Sequence, residues 1–123
     1  MPKIMLVEDD HIMRSLLQTL LEMEGFDVVF GAGNAEALLQ DIRAEKPALV
    51  VMDVHLAGGV NGIDLLDSIR QDPDLQQPPH IVMTSGMDYR EASLAAGADG
   101  FLQKPYVVDD LLLIIRQTLQ DTP

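Results

Sequence analysis

Five short apolar runs punctuate the chain: Ile4–Val7, Phe26–Phe30, Leu49–Met52, His80–Thr84 and Phe101–Gln103. Such runs, bounded by turn residues, predict strands buried on both faces, as in a parallel sheet covered by helices. Between them the apolar positions recur at helical spacing. Met13, Leu16, Leu17, Leu20 and Leu21 mark one amphipathic helix, stopped by Gly25. Asn34 suits the N-cap of a second, with Ala35, Leu38, Leu39 and Ile42 on one face, and Asn61 that of a third, carrying Leu65, Leu66 and Ile69 and ending at Asp72-Pro73. Ser85-Gly86 opens a weaker, Ala-rich helix (Ala92, Ala95, Ala96), and a last one carries Val108, Leu111, Leu112, Ile115 and Leu119. Asp74–Pro79, with Pro78-Pro79, predicts a loop. Strand and helix thus alternate without repeat or linker, which predicts an α/β, doubly wound parallel sheet with right-handed crossovers and helices on both faces.

Length and charge narrow the classes. At 123 residues and 13.5 kDa the chain, 1–123, reads as one domain with a real core. With no Cys there is neither a disulfide framework nor a thiolate site. No apolar run nears the ~18 residues of a membrane span, and the start lacks the features of a signal peptide, so a soluble, cytoplasmic protein is expected. A net charge of −12, from 20 acids against 8 bases, repels phosphate and anionic lipid, which argues against direct nucleic-acid or membrane binding.

Ligands of such sheets bind outside the carboxyl ends of the strands. There the chain offers Glu8, Asp9 and Asp10 after the first strand, Asp53 ending the third, Thr84 and Ser85 ending the fourth, and Lys104 after the fifth. Crowded carboxylates raise one another's pKa, and a hard divalent cation is the usual way to keep them ionised. Two or three oxygens plus waters suit Mg²⁺. A metal-countered Asp53 could attack phosphorus and form an acyl phosphate. The Thr84 hydroxyl and the backbone N–H groups of Ala57 and Ser85 are then candidate donors to phosphoryl oxygens, and the backbone carbonyl of His55 a candidate metal ligand. Plainer readings stand beside these: a solvated helix start for Glu8-Asp9, a strand-ending acid binding backbone amides for Asp53, and a lysine paired with a buried carboxylate for Lys104. Pro105 invites a cis peptide aiming that lysine inward. His11 and His80 are not expected to act, and the seven Met read as core filling in preference to a cofactor box.

Over nearly its full length the chain resembles the receiver domain of two-component response regulators. The motifs that carry the resemblance are Ile4-Met5-Leu6-Val7-Glu8-Asp9-Asp10, Val50-Val51-Met52-Asp53, Ile81-Val82-Met83-Thr84-Ser85-Gly86 and Gly97-Ala98-Asp99-Gly100-Phe101-Leu102-Gln103-Lys104-Pro105. The resemblance implies a flavodoxin-like sheet of order 2-1-3-4-5. It implies that Asp53 accepts a phosphoryl group from the phosphohistidine of a histidine kinase or phosphotransfer protein. Mg²⁺ (or Mn²⁺) would be held by Glu8, Asp9, Asp53 and the His55 carbonyl, with Thr84 and Lys104 on the phosphoryl oxygens and Thr84 and Phe101 as the switch pair. It implies a signalling domain, not an enzyme, that assists its own phosphorylation and dephosphorylation. The chain departs from the family pattern in four places. Ala57 stands where Pro is usual, the loop Leu56–Asn61 is longer by about one residue, Phe101 replaces the commoner Tyr, and Glu8 in place of Asp lengthens one metal arm.

On the last helix, Leu113 and Ile114 fall off the core-facing stripe at ~100° per residue. With Tyr106 they are candidates for a phosphorylation-dependent partner or homodimer surface on the face of the fourth helix, fifth strand and fifth helix. Three rivals remain. A haloacid-dehalogenase-type aspartyl-phosphate hydrolase would want a second acid where His55 stands. A flavodoxin-like FMN module would want a hydroxyl- and glycine-rich loop where Glu8-Asp9-Asp10 stand. A phosphate-independent interaction module would not need the full acid, hydroxyl and lysine set. No effector segment is recognised after Gln120, so a stand-alone regulator, a phosphorelay carrier or a receiver cut from a longer protein is expected.

Overall fold

The computed structural model describes residues 1–75 and 77–120. Five strands, β1 (Lys3–Val7), β2 (Asp27–Phe30), β3 (Leu49–Asp53), β4 (His80–Ser85) and β5 (Gly100–Gln103), form one parallel sheet in the order β2-β1-β3-β4-β5. Alternating with them are α1 (His11–Met23), α2 (Ala35–Glu45), α3 (Gly62–Gln71), α4 (Arg90–Ala95) and α5 (Val108–Gln120). The expected class, order and alternation are all present.

The strands read as unbroken apolar runs because each feeds two cores. Met5 and Val7, Val50 and Met52, and Ile81 and Met83 pack with Leu38 and Ile42 of α2 and Leu65, Leu66 and Ile69 of α3. The alternate residues Ile4 and Leu6, Leu49 and Val51, and Val82 pack with Leu17 and Leu21 of α1 and Leu111, Leu112 and Ile115 of α5. A side-chain period of two leaves no polar face on such strands.

The helix starts are set by short polar side chains. Asp10 caps α1 through the Ile12 and Met13 amides, Asn34 caps α2 through Ala37, and Asn61 caps α3 through Ile63. A side-chain oxygen at the N-cap satisfies an amide that the helix itself leaves unpaired. Asp10 is therefore spent on a cap and leaves the group of candidate ligands.

Three helical faces differ from the expectation. Leu16, placed on the core stripe of α1, is 48% exposed, because Leu17 and Leu21 already define the contact with the sheet. The fourth helix begins at Arg90, not at Ser85-Gly86, and is only 6 residues long. It buries Ser93, whereas Ala92 and Ala95 face solvent. Ile114 does not point away: its Cδ1 would lie 2.6 Å from a Cβ placed on Gly100, so the missing side chain of β5 opens a slot that the isoleucine fills. Leu113 is 56% exposed, as expected.

Candidate functional site

Parallel register brings the candidate residues to one edge. Asp53 pairs with Thr84 across β3 and β4, Val7 with Met52 across β1 and β3, and Ser85 with Gln103 across β4 and β5. Glu8 and Asp9 leave β1 beside Asp53. Lys104 leaves β5 with its amide donating to the Ser85 carbonyl at 2.7 Å, and the Lys104-Pro105 peptide is cis, as expected. Its ammonium reaches Asp53 Oδ2 at 2.9 Å and Glu8 Oε1 at 3.2 Å. The Asp53 and Glu8 side chains are only 13% and 11% exposed.

The charges in this mouth do not cancel. Two carboxylates, Glu8 and Asp53, meet one ammonium, which leaves one formal negative charge in a partly buried place, and the exposed Asp9 next in the chain adds another. Burial, the largest single effect on Lys104, pulls its pKa down. The hydrogen bond and charge of Asp53, followed by the charge and hydrogen bond of Glu8, outweigh it and hold the ammonium above its ordinary value. Burial also raises the Tyr106 hydroxyl; Lys104 opposes that, and Glu8 and Asp53 reinforce it.

The other groups take up defined positions. Thr84 is buried at the end of β4, and its hydroxyl makes no hydrogen bond among the described residues. The Ser85 hydroxyl accepts from the Met87 amide at 3.2 Å. Phe101 is fully buried, with the Arg90 guanidinium 5.6 Å from its ring centroid. Tyr106 packs half-buried against the α1–α5 side of the sheet.

One backbone assignment changes. The Ala57 amide, expected to serve a phosphoryl oxygen, donates instead to Asp9 Oδ2. The amide that donates to the Asp53 carboxylate is that of His55, 3.2 Å from Oδ1. The cause is the loop between β3 and α3. His55 and Asn61 face each other in an antiparallel bridge, and a 3₁₀ turn at Ala57–Gly59 folds the tip toward Asp9.

Two residues that the candidate list lacked also shape the mouth. Gly62 opens α3 against the end of β3: its amide donates to the Val54 carbonyl at 2.7 Å, and a Cβ there would overlap the Asp53 carbonyl oxygen. A glycine after a capping asparagine was the available signal. Tyr89 sets its ring edge-on to His55 at 5.3 Å, a contact between loops that no local pattern announces.

The donor set suits a hard divalent cation. Asp9 Oδ1 and the His55 carbonyl have no hydrogen-bond partner among the described residues, and the excess charge is negative. In this conformation, however, no three acidic or histidine side chains among the described residues converge closely enough to hold an ion. A cavity of about 1080 Å³ lies elsewhere, beside Lys3, Arg43, Lys46, Pro78 and His80 at the amino ends of the strands.

A doubly wound 2-1-3-4-5 sheet whose carboxyl edge gathers acids, a threonine hydroxyl and a lysine defines the receivers of two-component signalling. The chain belongs to the response regulator receiver domain family, whose model it matches over residues 4–116. It is 40% identical over 123 residues to the transcriptional regulatory protein CpxR of Escherichia coli strain K12, covering 98% of this chain and 50% of CpxR. It is 35% identical over 124 residues to the phosphate regulon transcriptional regulatory protein PhoB of Rhizobium meliloti strain 1021, covering 98% and 53%. The chain thus spans about half the length of these curated relatives. Among solved structures, a putative response regulator from Chloroflexus aurantiacus J-10-fl matches with a TM-score of 0.84 at 30% identity, over 98% of this chain and 99% of that one. The BeF3-activated N-terminal receiver domain of Klebsiella pneumoniae RstA matches with a TM-score of 0.82 at 29% identity, over 97% and 99%. No helix among the described residues is long and apolar enough to cross a membrane.

Proposed function

We propose that this receiver, read as a single unit over 1–123, takes a phosphoryl group onto Asp53 from the phosphohistidine of a histidine kinase or phosphotransfer protein. The observation that carries the reading is the Lys104 ammonium bridging Asp53 and Glu8 at the edge where Thr84 presents an unpartnered hydroxyl. Asp53 Oδ1 attacks phosphorus as the P–N bond of the donor breaks, and the imidazole leaves with the bonding electron pair. The product is an acyl phosphate. Lys104 keeps a positive charge beside the transferred oxygens, and its raised pKa holds it protonated through the physiological range. The Thr84 hydroxyl and the Ser85 amide are the further donors, and the His55 amide orients Asp53.

Glu8, Asp9, Asp53 and the His55 carbonyl would hold Mg²⁺ or Mn²⁺. When bound, that ion supplies neutralisation of the carboxylate and phosphoryl charges. The chain assists its own modification and its reversal, without turning over a separate substrate. Phe101 and Thr84 would carry the change to the outer face of α4, β5 and α5, where Leu113 is exposed and Tyr106 and Ile114 pack beneath.

Incubation with Mg²⁺ and a small phosphodonor, followed by intact mass, tests the reading. The wild type should gain one phosphoryl group and Asp53→Asn none, with loss of uptake when Mg²⁺ is chelated. An unmodified wild type under these conditions would leave a phosphate-independent interaction module as the better account.

A further inference from the structure

We propose that the Ala57 amide is a built-in competitor for the cation-binding carboxylate. It engages Asp9 Oδ2 from the loop 56–61, so that this loop and a divalent cation compete for the same carboxylate. The inference rests on the reading of Glu8, Asp9 and Asp53 as the cation site.

Three observations converge on it. Asp9 Oδ2 accepts a hydrogen bond from the Ala57 amide, and a bond from an amide to an ionised carboxylate is among the stronger kinds in proteins. Glu8 and Asp53 already meet at Lys104, whereas among the described residues Asp9 makes no ion pair there and is engaged by Ala57. The loop is built to make this contact and little else at its tip. Its base is pinned by Leu56 N–H to the Val60 carbonyl at 3.0 Å and by Gly62 N–H to the Val54 carbonyl at 2.7 Å. Its turn needs two successive left-handed residues, Gly58 at φ 72° and Gly59 at φ 74°. A Cβ on either would meet nothing within 4 Å, so these glycines serve the backbone path, not packing. Ala57, Gly58 and Gly59 are exposed, and among the described residues Asp9 is what ties this tip back to the sheet.

The competition can be removed at a single atom. Ala57→Pro deletes the N–H alone, because Ala57 is the first residue of the 3₁₀ turn, where the fixed φ of proline fits. Leu56 before it sits at φ −108°, ψ 166°, the extended region that a residue preceding proline takes. Ala57→Ser keeps the amide and serves as the control. Mg²⁺ affinity is measured by calorimetric titration without phosphodonor, and the Ala57 amide proton is followed by NMR in the wild type. Ala57→Pro should bind Mg²⁺ about tenfold more tightly than the wild type, and Ala57→Ser should match the wild type. The amide resonance should move upfield as Mg²⁺ saturates. Equal or weaker binding by Ala57→Pro overturns the inference, as does an amide resonance that Mg²⁺ leaves in place. Should Ala57→Pro fail to fold, the wild-type resonance decides alone: movement supports the competition and immobility overturns it. A wild type that binds no Mg²⁺, or binds it as tightly after Asp9→Asn, takes down the cation-site reading and this inference with it. Normal Mg²⁺ binding and Asp53 phosphorylation with an unchanged Ala57→Pro removes the inference alone.

Discussion

Gly62 shows how little room surrounds Asp53. Nothing in its own neighbourhood forbids a side chain, since it lies in an ordinary first helical turn after the Asn61 cap. The prohibition comes from across the loop, where the Asp53 carbonyl occupies the place a Cβ would take. Because that obstacle is backbone, no rotamer change relieves it. Gly62→Ala should therefore lower stability by roughly 1–3 kcal/mol in a urea titration. It should also reduce the proposed phosphoryl uptake on Asp53 where the methyl group is admitted by moving the end of β3. An unaltered unfolding midpoint would mean that α3 can shift without disturbing β3.

Elements are joined by side chains that satisfy loose ends. Asp72, just past the last turn of α3, accepts the Asp74 amide at 3.0 Å and the Arg43 guanidinium of α2 at 2.8 and 3.1 Å. The Asp74 amide does most to hold its carboxyl below the ordinary value; burial, next in size, opposes it, and the Arg43 hydrogen bond and charge add to the lowering. A carboxyl whose pKa is lowered on folding adds stability that is complete above its unfolded value near pH 3.8. That stability is lost as the pH falls through the lower folded value. Asp72→Asn should accordingly be less stable than the wild type at pH 7, with the two urea midpoints converging as the solution is acidified. A gap that persists at low pH would show that the amide geometry matters and the charge does not. Arg70 makes a similar join at the amino end of β4, donating to the Gly97 and Pro79 carbonyls at 2.9 Å each and to Asp99 at 3.1 Å.

For the whole molecule the sheet separates two ends. The acidic mouth around Lys104 lies at the carboxyl edge, and the cavity lined by Lys3, Arg43 and Lys46 lies at the other. The exposed apolar residues Leu94, Val107 and Leu113 belong to α4, the segment after β5 and α5, the face proposed to answer phosphorylation. Leu113→Asp should leave the unfolding midpoint within about 0.5 kcal/mol, as for an exposed position free of packing duties. Light scattering should show weaker self-association or partner binding for this variant only in the phosphorylated state. Equal assembly of variant and wild type in both states would exclude Leu113 from the interface.

Much of this protein is legible from the chain alone. Five apolar runs with helical patterns between them determine a parallel sheet covered on both faces, because each strand has to feed two cores. Asn34, Asn61 and Asp72-Pro73 mark helix ends by chemistry confined to a few neighbouring residues. Strand-ending positions likewise determine which polar residues share the carboxyl edge. Only the tertiary structure decides what depends on residues far apart in sequence. The slot at Gly100 takes in Ile114, which helical spacing alone turns outward. Leu17 and Leu21 claim the sheet and leave Leu16 in water. Asp9 and Ala57, 48 residues apart, meet because a turn of two left-handed glycines bends the loop back. Local pattern reports which way a side chain starts, whereas packing and loop closure settle what it finds there.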